Sequence, residues 1–86
     1  MKILLLEDDP RLSSLLLRGL QREGHAVDHA ASIEDGRWLA TESDYDAMIF
    51  DVMLPDGDSY SLCRELRAAG RWSPVLRSAR SSSPAA

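Results

Sequence analysis

Two short apolar runs that each stop on a carboxylate constrain this chain more than any other feature. Ile3 to Leu6 leads straight into Glu7, Asp8 and Asp9, and Met48-Ile49-Phe50 leads into Asp51. An uninterrupted apolar run bounded by charge marks a strand covered on both faces, as in a parallel sheet flanked by helices. Between the runs the period changes. Asp9 offers an N-cap and Pro10 suits the first helical position. Leu12, Leu16 and Leu20, with Leu15 beside them, form a helical stripe that stops at Gly24. Ala26-Val27 and Ala30-Ala31 make a weaker second strand, and Ser32 with Asp35 three residues on predicts a capped helix through Trp38, Leu39 and Ala40. Ala47 to Phe50 is the third strand, "LPDGDS" is turn chemistry, and Leu62, Leu66 and Ala69 share one face of a third helix closed by Gly70. Pro74-Val75-Leu76 opens a fourth strand. From Arg77 onward "RSARSSSPAA" has no periodicity and reads as a disordered tail. Strand and helix alternating at these lengths predict a three-layer α/β fold with right-handed crossovers. Functional residues then gather at the carboxyl ends of the strands.

Size and charge narrow the function. With 86 residues there is room for one modest core and no second folded domain. A net charge of -4 argues against a nucleic-acid surface, which needs clustered Lys and Arg to neutralise phosphates. The one cysteine, Cys63, cannot form an internal disulfide, and no apolar stretch approaches a membrane span. The start "MKILLLEDD" is too acidic for a secretory leader, so the expected location is cytoplasmic.

The acids carry the chemistry. If the first and third strands are neighbours, roughly 4.8 Å apart, Glu7, Asp8 and Asp51 converge on one small site. Carboxylates about 5 Å apart repel by roughly 3 kcal/mol at an effective dielectric near 20, so the cluster must hold a proton or recruit a cation. An all-oxygen, partly open site suits a hard ion such as magnesium, which keeps waters and bridges to phosphate oxygens. A carboxylate can itself be the nucleophile that accepts a phosphoryl group. Asp9, beside Pro10, is read as a helix cap. No glycine-rich loop follows the first strand, which weighs against nucleotide binding, and no separate substrate pocket or general base favours a hydrolase.

"KILLLEDDPRLSSLLLRGLQREGHAVDHAAS" followed by "YDAMIFDVMLPDGDSYSLCRELR" resembles the receiver domain of bacterial two-component response regulators, most like the subgroup that carries a winged-helix DNA-binding domain. The match covers about Met1 to Leu76 and rests on the acid pair, "FDVMLPDGD" and the spacing between them. The resemblance implies a flavodoxin-like receiver fold with strand order 2-1-3-4-5, here incomplete: strands 1 to 3, helices 1 to 3 and a partial strand 4. It implies that Asp51 accepts the phosphoryl group from a histidine of a sensor histidine kinase. Mg2+ would be held by Glu7, Asp8, Asp51 and the backbone carbonyl of Met53, with Pro55 and Gly57 shaping the loop. It also implies a signalling domain that controls transcription in a full-length regulator, not an enzyme.

The chain departs from the family after Leu76. Residues 1-76 read as a partial receiver and 77-86 as the tail, an abrupt change that resembles a reading-frame change or a truncated gene product. Ser78 is a candidate for the hydroxyl that ends strand 4 in the family, although Arg77 would interrupt a buried strand. No lysine is available for the family's switch, since the only one, Lys2, opens the first strand. A sheet edge left open predicts a homodimer or aggregation. The alternative reading is a nonsignalling fragment or a divalent-cation or small-ligand binding module. Trp38 and Trp72 are read as packing residues, Cys63 as a small core or boundary residue, and His25 and His29 as surface histidines.

Overall fold

The computed structural model of the chain describes residues 1-51, 53-70 and 75-78. Its elements run β1 (Lys2–Leu6), α1 (Pro10–Arg22), β2 (Ala26–Ala30), α2 (Ile33–Glu42), β3 (Ala47–Asp51), β4 (Met53–Leu54), β5 (Gly57–Asp58), α3 (Ser59–Ala68) and β6 (Val75–Ser78). Four strands form one parallel sheet in the order β2-β1-β3-β6, while β4 and β5 pair as a two-residue antiparallel ladder of their own. The central register sets Leu6 opposite both Ala30 and Phe50, so β1 and β2 end level and β3 runs one residue further, to Asp51.

The three helices start where the side chains favour it. Asp9 accepts from the N–H groups of Arg11 and Leu12 at 2.9 and 3.4 Å, with Pro10 in the first turn of α1. Ser32 accepts from Asp35 N–H at 3.2 Å to open α2. Asp58, read from the sequence only as turn chemistry, caps α3 through Ser61 N–H at 3.0 Å. Gly24 and Gly70, just past α1 and α3, have φ of 92° and 72°, a conformation that costs a residue with a Cβ.

Strand order fixes the layers. The chain moves from β1 to β2 in one direction and from β2 through β3 to β6 in the other, so right-handed crossovers place α1 on the face opposite α2 and α3. The α2–α3 face holds the main core: Leu4, Leu6, Met48 and Phe50 from the sheet against Ile33, Ala40, Leu62 and Leu66 from the helices. Ile3 and Leu5, which alternate with that set, point toward α1 and are also buried. Coverage there is thinner: Leu12, Leu16 and Leu20 are half-buried, Ile49 is partly exposed, and Leu15 is 62% exposed despite lying beside the predicted stripe.

Three further readings change. Trp38 is 63% exposed on α2 and is not a packing residue; Trp72 lies outside the described residues. Ala69 is exposed, just past the end of α3, because Leu62 and Leu66 already fill that helix's contact with the core. The fourth strand runs to Ser78, so the backbone at Arg77 does not break it, and the expected boundary after Leu76 falls inside the sheet. Backbone pairing with β3 carries the strand through Arg77. The rest of the expected tail, residues 79-86, lies outside the described residues.

Candidate acidic site at the strand ends

Because β1 and β3 are adjacent and in register, the residues that follow Leu6 and Phe50 emerge side by side. Glu7, Asp8 and Asp51 each present a carboxylate oxygen, and the three atoms lie within 4.8 Å of one another. Burial divides them: Glu7 and Asp51 are 1% and 0% exposed, whereas Asp8 faces solvent. The result is a cluster of two buried acids and one exposed acid, built only of oxygen donors. That donor set fits a hard divalent cation.

Backbone hydrogen bonds hold Glu7 beyond the end of its strand. Its N–H donates to Ala30 O at 3.0 Å and its carbonyl accepts from His29 Nε2 at 2.7 Å. A carbonyl can only accept, so this contact places the His29 proton on Nε2. The Glu7 carboxylate also accepts from Asp9 N–H at 3.1 Å. The run Glu7-Asp8-Asp9 therefore separates by role, with Glu7 and Asp8 in the cluster and Asp9 capping α1.

Past Asp51, the chain turns through a small hairpin. Met53 pairs with Asp58 and Leu54 with Gly57, which leaves Pro55 and Asp56 as a two-residue tip. Gly57 has φ of +144°, so the glycine predicted to shape this loop sits where a Cβ would be strained. At the tip, the Asp56 carboxylate reaches the start of α2 and accepts from Ile33 N–H at 2.7 Å and Glu34 N–H at 3.0 Å. Those two N–H groups, with a smaller contribution from Arg37, hold its carboxyl below the usual carboxylate range against the opposing effect of burial. Below the hairpin, Arg37 of α2 and Glu65 of α3 form a two-pronged ion pair at 2.8 and 2.9 Å. It raises the guanidinium and lowers the carboxyl.

The register also places Ser78 opposite Asp51 at the end of β6. Lys2 lies at the other end of β1, with its ammonium 5.3 Å from the centre of the Tyr45 ring. Two participants escaped the sequence reading. His29 is exposed, as expected of a surface histidine, but only the pairing of Leu5 with His29 shows that its ring reaches the Glu7 carbonyl. Asp56 looked like one more polar turn residue, since nothing in "LPDGDS" reveals a contact with a helix 23 residues earlier.

Residues 3-85 match the family model for the response regulator receiver domain. The transcriptional regulatory protein TcrA of Mycobacterium tuberculosis is 44% identical over 78 residues, covering 87% of this chain and 30% of TcrA. The probable transcriptional regulatory protein SilR of Salmonella typhimurium is 45% identical over 76 residues, covering 88% of this chain and 33% of SilR. The chain thus spans about a third of the length of the curated relatives it matches. Among solved structures, the receiver domain of the sensor histidine kinase PA1611 from Pseudomonas aeruginosa, with a magnesium ion coordinated in its active site cleft, superposes with a TM-score of 0.82 at 35% identity. The match covers 88% of this chain and 64% of that one. The receiver domain of the Francisella response regulator 1452 gives 0.84 at 25% identity, covering 88% of this chain and 63% of the other. Sheet order, acid placement and sequence similarity agree: the chain belongs to the response regulator receiver domain family.

Proposed function

We propose that Asp51 is the phosphoacceptor of this receiver, taking a phosphoryl group from a histidine of a sensor histidine kinase. The carrying observation is the convergence of Glu7, Asp8 and Asp51 within 4.8 Å around a carboxylate that is itself fully buried. In the transfer a phosphorus–nitrogen bond of the donor breaks, and a phosphorus–oxygen bond to Asp51 forms as an acyl phosphate. Glu7 and Asp8, with Asp51 and the backbone carbonyl of Met53, would hold Mg2+, which offsets charge on the transferred oxygens. Glu7 is held for this by its own backbone bonds to β2, and burial of Asp51 keeps bulk water from competing for the carboxylate. Ser78, opposite Asp51 in register, is the candidate hydroxyl for a phosphoryl oxygen.

The chain is a signalling module in this reading, and in a longer protein its phosphorylation would control transcription, the role that the names of TcrA and SilR give those proteins. We place it in the cytoplasm; no helix among the described residues is long and apolar enough to cross a membrane. We assign it no direct nucleic-acid contact, consistent with a net charge of -4, and take the partial receiver to extend through β6.

Incubation with Mg2+ and a small phosphodonor should give a base-labile mass gain of one phosphoryl group that Asp51→Asn abolishes. A folded sample that binds Mg2+ without gaining mass would leave the divalent-cation module as the better reading. A gain that survives Asp51→Asn would remove the assignment.

A further inference from the structure

The hairpin after Asp51 has little to hold it by itself. Its ladder is two residue pairs long, and an isolated two-stranded ribbon of that size is not stable in water. Among the described residues, no non-glycine residue has positive φ, so Pro55 and Asp56 do not form the primed turn whose twist suits a continuing hairpin. The restraint comes from outside. Both Asp56 oxygens accept N–H groups of α2, and the side of Gly57 faces Ile33, with a built Cβ 4.0 Å from Ile33 Cγ1. Ile33 in turn belongs to the same buried core as Leu54. Ser32 satisfies a different donor, Asp35 N–H, so the helix start is capped twice: once locally and once from the loop.

We propose that Asp56 is a positioning residue of the acidic site: by capping α2 from across the loop, its carboxylate fixes the hairpin that carries Met53, whose backbone carbonyl the proposed function assigns to the cation. The inference rests on the cation-binding reading above. Loss of the two bonds frees the hairpin tip and lets the segment from Met53 onward drift from the carboxylates. Supporting residues of this kind typically set metal affinity by about 10- to 100-fold; acting through a loop, Asp56 belongs at the lower end.

The test is Mg2+ titration of the 15N-labelled chain, followed by amide shifts, for the wild type, Asp56→Ala, Asp56→Asn and Ser32→Ala. Hydrogen exchange at Ile33 and Glu34 is measured in parallel. Asp56→Ala should speed exchange at both amides and weaken Mg2+ about tenfold, with Asp56→Asn intermediate because its amide keeps one acceptor oxygen. Ser32→Ala removes a cap from the same helix without touching the hairpin and should leave Mg2+ affinity unchanged. Equal affinity in wild type and Asp56→Ala overturns the inference while leaving the cation site intact. Equal weakening by Ser32→Ala also overturns it, since the effect would then be general fraying of α2. If Asp56→Ala does not fold, wild-type affinity in Asp56→Asn overturns it. A wild type that does not bind Mg2+ removes the cation reading and this inference together.

Discussion

Single carboxylates in this chain are distinguished by what surrounds them, not by their type. Asp9 and Asp58 each cap the helix that follows them, whereas Asp51, at the end of β3, is buried in the acid cluster. The two acids with depressed titration, Asp56 and Glu65, give a signed pH dependence. A group whose folded value lies below its unfolded value adds stability that is present above the unfolded pKa and lost as pH falls through the folded one. Acid titration of stability should therefore show a loss below the usual carboxylate range, with part of the slope removed in Asp56→Asn and part in Glu65→Gln. An unchanged slope in both variants would contradict those assignments. Tyr45 works in the opposite sense. Burial, and then its bond to Asp28 at 2.6 Å, raises the phenol. Its contribution is present below the unfolded phenol pKa and lost as pH rises above it, so Tyr45→Phe should flatten the alkaline limb of the stability curve.

Close packing between elements places β1 and α2. A Cβ built at Gly36 would lie 2.6 Å from Leu6 Cδ2 and 2.9 Å from Leu6 Cγ. Leu6 is fully buried and cannot swing away, and it directly precedes Glu7. Alanine favours a helix interior over glycine by about 1 kcal/mol, but forcing a methyl into a filled core costs about 1 to 3 kcal/mol. Gly36→Ala should therefore destabilise by about 1 kcal/mol net, measured by denaturant midpoint, and, on the proposed cation reading, weaken Mg2+ through displacement of Leu6. A stabilised variant would show that α2 can lift off β1 at no cost. Nothing local signals the contact, because it depends on which strand the helix crosses.

Across the whole molecule the two faces of the sheet are unequal. On the α2–α3 side, Leu62 is fully buried within a continuous core, so Leu62→Ala should cost about 2 to 5 kcal/mol. On the α1 side, Leu16 is only half-buried, and the same truncation should cost less than half as much by the same unfolding measurement. The exposed Leu15 and the half-buried leucines beside it present apolar surface, and among the described residues β2 and β6 are the end strands of the sheet. We expect the 86-residue chain to self-associate. Sedimentation should show a larger monomer fraction in Leu15→Glu, and equal fractions would direct attention to the sheet edge.

Much of this was legible along the chain because it is local. Apolar runs, stripes and caps arise from residues within a turn or two of each other, so three strands, three helices and the caps at Asp9 and Ser32 could be read directly. The acids at the ends of the runs were also visible, since in a parallel sheet the strand ends gather on one side. The register that brings Glu7, Asp8 and Asp51 within 4.8 Å was decided only by tertiary structure. So were the His29 bond to Glu7, the clamp from Asp56 to α2, the exposure of Trp38 and the extension of β6 to Ser78. Each depends on how residues or elements far apart in the chain are arranged. Their spacing in sequence carries no trace of the distance that the completed sheet imposes between them.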